Sequence, residues 1–248
     1  MWNRNKWSRF SIAITLMGLI LIVLFDIFLD IPQKLLKPIS IISGSFCLIF
    51  LFIASKTTIY DHRFSKHPSS FIAQTQVNDK KNTTALVIFT GFPIFLTFQS
   101  FIVGYLFSNY FSHLKYTKLL ASFLYGAVLC VIWMGSVQID ISRIGHLVGV
   151  LGMFAFYLTM NICTAILLIN LSQEGVQFNP LYFCFAGFEI LSSIFYMISY
   201  LYDLQHTTPI WFQPGLLQKF WIISFVISLM AYADLFSQSH FYQQTFFE

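Results

Sequence analysis

A carboxyl group in the middle of an uncharged apolar run is the feature of this chain best suited to chemistry. Glu189 lies eight residues into the run Leu181–Tyr202, about 12 Å deep at the rise of about 1.5 Å per residue of a helix. A carboxylate facing lipid at that depth costs roughly 2.5–3.5 kcal/mol on the insertion scale for Asp. The residues around it are patterned to avoid that exposure. Tyr182, Ala186, Glu189, Ser193, Tyr196, Tyr200 and Asp203 recur at alternating intervals of four and three. That spacing sets them on one face of a helix otherwise made of Phe, Ile and Leu. The stripe is expected to face other helices or a cavity. Two roles suit it: a neutral acid hydrogen-bonded between helices, or a site for a proton or cation, the usual reading of an intramembrane acid.

Polar residues able to meet the stripe lie in two other runs. His146, Met153, Tyr157, Asn161 and Thr164 follow near-helical spacing in one, and Thr90, Pro93, Thr97, Ser100, Gly104 and Ser108 share a face in the other. The candidate intramembrane polar site is therefore Glu189, Ser193, Tyr196, Tyr157, Asn161, Thr164 and Thr97, with Asn161, Ser193 and Tyr196 expected to share Glu189 as a partner. No Lys or Arg lies at its depth, so no simple ion pair is available. Pro93 frees a backbone carbonyl that Thr90 and Thr97 are placed to satisfy. Gly145-x-x-x-Gly149 allows close approach of a neighbouring helix. Asp140, Arg143 and His146, spaced three apart, read as a salt-bridged turn at the membrane edge.

Other chemistries lack their residues. Haem ligation inside a bundle needs His within the helices, whereas His62, His67, His113, His206 and His240 fall outside the apolar runs and His146 at the edge of one. No His-x-x-x-His pair exists for zinc. His62 and His67 sit together in a loop, where solvated histidines are the cheaper account. Cys47, Cys130, Cys163 and Cys184 fall one to a run, spaced like buried hydrophobes and not like ligands. Lys219 lies in the first turn of its run, too shallow for a retinal Schiff base, and no Gly-x-Ser-x-Gly nucleophile setting appears. No catalytic residue, metal or cofactor is expected.

The elements that must position Glu189 follow from composition. Charged residues make 10% of the 248 and hydrophobic ones 57%, with 30 Phe, against roughly 25% charged in soluble domains. The expected fold is all-α, a polytopic transmembrane helix bundle in a single domain. Seven runs are long enough to cross about 30 Å of hydrocarbon: 10–29, 38–55, 84–108, 119–137, 145–170, 181–202 and 216–236. The second is the weakest, since Ser40, Ser43, Gly44 and Ser45 crowd its first half, and the alternative is six spans without it. The first, after Arg4, Lys6 and Arg9 and without a small-x-small cleavage site, reads as a retained signal anchor. The one long connection, 56–83, is polar and basic. With seven spans ten Lys and Arg fall on its side and four on the other, which places the N-terminus in the cytosol and the C-terminus outside or in a lumen. Topology thus accounts for the net charge of +4, and no nucleic-acid partner is implied.

The run WMGSVQIDISRIGHLVGVLGMFAFYLTM, a short loop ending in His before a small- and aromatic-rich span, resembles the family of damage-regulated autophagy modulators and post-GPI-attachment proteins. The ending Ala233-Asp234-Leu235-Phe236 is similar to the Asp-Phe ending common there. The resemblance spans at most 119–236, in a six-span family. It implies a non-enzymatic endomembrane protein in lipid handling, GPI-anchor maturation or autophagy. The residues themselves point to a non-enzymatic multi-pass membrane protein, an accessory subunit or a lipid or trafficking factor, with membrane lipids and other membrane subunits as partners. The alternative is a proton- or cation-coupled transporter of a small solute built on the Glu189 stripe.

Overall fold

A computed structural model describes residues 31–58, 76–77, 80–110, 116–137, 142–203 and 209–237, together with Met17, Ile20 and Leu24. The described residues are all-α apart from a two-residue antiparallel pairing of Gln76–Val77 with Lys80–Lys81. The helices bounded within the described residues are α1 (Gln33–Thr57), α2 (Thr83–Tyr105), α3 (Thr117–Ser136), α4 (Arg143–Gln173), α5 (Leu181–Asp203) and α6 (Pro214–Phe236). A π-turn, Leu106–Tyr110, prolongs α2, and a single 3-10 turn, Ile210–Phe212, precedes α6.

Among the described residues, six helices are long and apolar enough to cross a membrane. They coincide with the second to seventh apolar runs. The run 10–29 lies outside the described residues except for Met17, Ile20 and Leu24, as does most of the loop 56–83. The crowded second run is helical along its whole length and extends five residues before Pro38. Of its small residues Ser40, Ser43 and Gly44 are buried, while Ser45 is exposed.

Local signals set the ends. Ser142 caps α4, accepting from the Gly145 backbone N–H at 3.2 Å, as a short hydroxyl at the first turn does. The far end closes through Gly175, whose φ of +88° suits a residue without Cβ. Gly175 N–H donates to the Ser172 carbonyl and Val176 N–H to that of Leu171, the paired bonds of a glycine-terminated helix. Asn179 accepts from the Leu181 N–H at 3.0 Å to start α5, and Pro214 occupies the first turn of α6, where its missing N–H is no loss.

Sequential helices pack on one another, and α6 closes the bundle against α1 and α2. Within its apolar stretch α6 is 67% buried and α5 only 28%. A helix apolar on all sides belongs inside, and α6 carries Trp221, Phe225, Val226, Leu229 and Tyr232 as fully enclosed residues. Glycines let the backbones close in. A Cβ at Gly149 would lie 3.0 Å from the Met134 backbone N, and one at Gly152 2.7 Å from Cys130 Sγ. The close approach of α3 and α4 therefore uses Gly149 and Gly152. Gly145 lies against the end of α3 as well: a Cβ there would meet Val137 Cγ1 at 3.2 Å besides its own cap, Ser142. Pro93 is accommodated by Gly135 of α3, 3.2 Å from a Cβ placed there. Thr90 does not serve the carbonyl that Pro93 frees: it is exposed and donates to Leu86 O at 2.8 Å.

Candidate functional site

The inward face of α5 consists of Tyr182, Ala186, Glu189, Ser193, Tyr196 and Ser199. Tyr200 is half-buried and Asp203 exposed, so the stripe leaves the interior at its last turn. Glu189 is wholly enclosed. Its Oε1 accepts two hydrogen bonds, from Ser193 Oγ one turn on and from Trp221 Nε1 of α6, each at 3.0 Å. Its Oε2 is buried with no hydrogen-bond partner.

Trp221 was not among the candidates from the sequence, although a signal for it exists. A Trp inside an uncharged run carries an N–H that needs an acceptor once buried, and Glu189 is the carboxyl at that depth. The indole also stacks on Tyr196, with centroids 5.7 Å apart and planes within 10°. Phe154 of α4 lies against it at 5.3 Å. Tyr196 accepts a hydrogen bond from Gln218 Nε2 at 3.2 Å, so α5 and α6 are joined again one turn away. Ser192 and Ser224 share a 2.7 Å bond, and Ser228 donates to Phe185 O at 3.2 Å.

The residues of α4 are buried but do not reach the carboxyl. Tyr157 OH and Ser100 Oγ lie 2.8 Å apart, linking α4 to α2. Asn161 Oδ1 accepts from Tyr232 OH at 2.6 Å, linking α4 to α6, while its Nδ2 donates to Tyr157 O at 3.0 Å. Thr164 turns back on its own helix, donating to Met160 O at 2.9 Å. Of the three residues expected to share Glu189 as a partner, Ser193 alone bonds it: Asn161 is aimed at Tyr232 by its place on the α4 face, and Tyr196 meets Gln218. On α2, Thr97 is only half-buried. The inward polar residues there are Gln99, which donates to Val226 O at 3.0 Å, and Ser100.

Of the membrane-edge cluster, Arg143 and His146 are among the described residues. Asp140 lies outside the described residues, and Arg143 is exposed at the first residue of α4. His146 is buried, its Nδ1 2.7 Å from the Val137 carbonyl at the end of α3. It lines a cavity of about 20 Å³ with Gln218, Trp221, Met134 and Met153, room for roughly one water. At the other end of the bundle Lys37 Nζ pairs with Asp234 Oδ1 at 2.5 Å, and Tyr182 OH donates to Asp234 Oδ2 at 2.8 Å. This tie of α1, α5 and α6 was also invisible in the sequence.

Fold and site together define a helical multi-pass integral membrane protein whose bundle encloses one carboxyl at mid-depth. Set against protein-family models, curated proteins and solved structures, the chain matches none.

Proposed function

We propose that the protein is a non-enzymatic multi-pass membrane protein, an accessory subunit or a lipid or trafficking factor of an endomembrane. The observation that carries this reading is how polarity is distributed between the inside and the outside of the bundle. Four pairs of interior polar side chains tie helices together: Glu189 with Trp221, Tyr196 with Gln218, Asn161 with Tyr232 and Tyr157 with Ser100. Outward, α5 presents Phe188, Leu191, Ile194, Phe195, Ile198 and Leu201, all exposed. A continuous large apolar face of this kind suits acyl chains or the apolar helices of another subunit. The resemblance to damage-regulated autophagy modulators and post-GPI-attachment proteins supports a role in lipid handling, GPI-anchor maturation or autophagy. We take the chain to cross seven times, with the run 10–29 as first span and the N-terminus in the cytosol, on the ten-to-four division of positive charge.

The test is purification in lipid-retaining particles, with mass spectrometric identification of what comes along. A lipid class enriched over the bulk membrane, or a stoichiometric membrane subunit, is the expected result. Bulk lipid alone and no subunit would overturn the reading.

A second reading, transport of a small solute coupled to a proton or cation, is favoured by one observation. The Glu189 carboxyl keeps one oxygen buried and unpartnered while the other accepts two hydrogen bonds.

A further inference from the structure

We infer that Glu189 is a proton-binding site in which Oε2 carries an exchangeable proton and Oε1 is the carbonyl acceptor, so that the ion taken up there is H⁺ and not a metal cation. The inference rests on the coupled reading of this carboxyl and names its ion.

The two oxygens stand in different circumstances. Oε1 receives Ser193 O–H and Trp221 N–H, both at 3.0 Å, and Oε2 receives nothing while buried. An ionised carboxylate shares its charge between both oxygens, and an enclosed oxygen without donors is a poor place for half of it. A neutral acid has the same asymmetry as the site. Its C=O belongs where two donors converge, and its O–H belongs on the oxygen that no donor approaches.

A metal cation needs different surroundings. Hard cations gather six or more oxygen ligands. Around this carboxyl stand the stacked rings of Trp221 and Tyr196 and the ring of Phe154, and the groups on Oε1 point hydrogens at it. No cation among the described residues pairs with Glu189.

Titratable groups turned into the same interior are held by other bonds. On α5, Tyr182 donates to Asp234 and Tyr196 accepts from Gln218. On α4, His146 meets Val137 O and Tyr157 meets Ser100. On α6, Tyr232 donates to Asn161 and Lys219 to Gly215 O at 3.1 Å. The indole that holds Glu189 also lines the one-water cavity beside His146 and Gln218. That cavity has room for about one water. Uptake forms the Oε2–H bond with a proton delivered by water, and release returns that proton to water, with no change of oxidation state.

Infrared difference spectroscopy of the full chain in lipid vesicles tests this. Wild type minus Glu189→Gln at neutral pH should show a carboxylic C=O band that moves down in D₂O and gives way to a carboxylate band as pH is raised. Trp221→Phe should keep the band and move it to higher frequency, since one donor to the C=O is gone. That variant assigns the band even if Glu189→Gln fails to fold. A carboxylate signal at neutral pH, a carboxylic band that neither exchanges nor titrates, or one displaced by added Na⁺ or Ca²⁺ at constant pH would overturn the assignment. Proton flux into the same vesicles, followed with an enclosed pH-sensitive dye, reads the coupled reading separately. Flux equal in wild type and Glu189→Gln, beside a titrating band, would remove the coupling and leave the proton on Oε2.

Discussion

Replacing Glu189 separates what its volume does from what its acceptor oxygen does. Glu189→Gln keeps a carbonyl oxygen where Ser193 and Trp221 converge, so its stability should match wild type within about 0.5 kcal/mol, the range of changes that break no buried interaction. Glu189→Leu fills the space and removes the acceptor. Ser193 recovers by turning to its own helix, as Ser100 does toward Leu96 O at 2.8 Å. Trp221 has no such escape, because a rigid ring fixes where its N–H points. Leaving that donor bare costs about 1–3 kcal/mol, toward the lower end where the unfolded chain in a membrane also finds partners. Adding Trp221→Phe to Glu189→Leu should therefore cost less than the sum of the two single changes. Thermal unfolding of the four proteins measures the coupling, and strict additivity would show that the 3.0 Å bond contributes nothing. Glu189 was legible in the sequence because a charge in an apolar run is conspicuous and its stripe has a period. Trp221 was not. The helix carrying it is apolar all round, so no periodicity announces which way each of its residues faces. Asn161 was misdirected for a related reason: spacing fixes a face of a helix but not the neighbour which that face meets.

At the scale of elements, boundaries were readable because a hydrocarbon slab counts residues. Five of the six described helices begin within two residues of the start of their apolar run, and α1, with Gln33 as its first residue, begins five earlier. Apolar length cannot report which glycine receives a neighbour, and the glycines make that testable. At Gly149 an added Cβ meets the Met134 backbone at 3.0 Å, and backbone cannot swing aside. Gly149→Ala should separate α3 from α4, weaken the 2.8 Å bond from Trp133 Nε1 to Gly145 O, and cost about 1–3 kcal/mol, the usual penalty of overpacking. Gly187, on α5, has nothing within 4 Å of its Cβ position. Gly187→Ala should be neutral or stabilise by about 0.5–1 kcal/mol through the helix preference of Ala. Gly175 is the opposite case, with open space but a φ of +88°. Gly175→Ala should cost about 1 kcal/mol by strain in the cap alone. Melting points of the three variants in one lipid mixture should be highest for Gly187→Ala, lower for Gly175→Ala and lowest for Gly149→Ala, and Gly149→Ala as stable as Gly187→Ala would contradict the packing.

For the whole molecule, the parity of crossings decides orientation. Six helices return the chain to the side it left, and the 2.5 Å pair between Lys37, at the start of α1, and Asp234, at the end of α6, joins those two ends. If all six cross, the loop after α1 and the tail after α6 lie on opposite faces, whatever the run 10–29 does. Only the N-terminus depends on that run. If it crosses, residues before Phe10 share a face with the loop 56–83, and positive charge divides ten to four in favour of that face, the asymmetry that holds a face in the cytosol. If it does not cross, Arg4, Lys6 and Arg9 move over, and the division narrows to an even one that favours neither orientation. The charge pattern is thus an argument for the seventh span as well as for its direction. Single cysteines at Ser8, Ser69 and Gln244 in a background without native cysteine test it with a membrane-impermeant thiol reagent. Ser8→Cys and Ser69→Cys should react from the same side and Gln244→Cys from the other. Ser8→Cys reacting with Gln244→Cys would take the first run out of the membrane. Ser69→Cys reacting with Gln244→Cys would mean that α1 does not cross, and would break the parity that the Lys37–Asp234 pair requires.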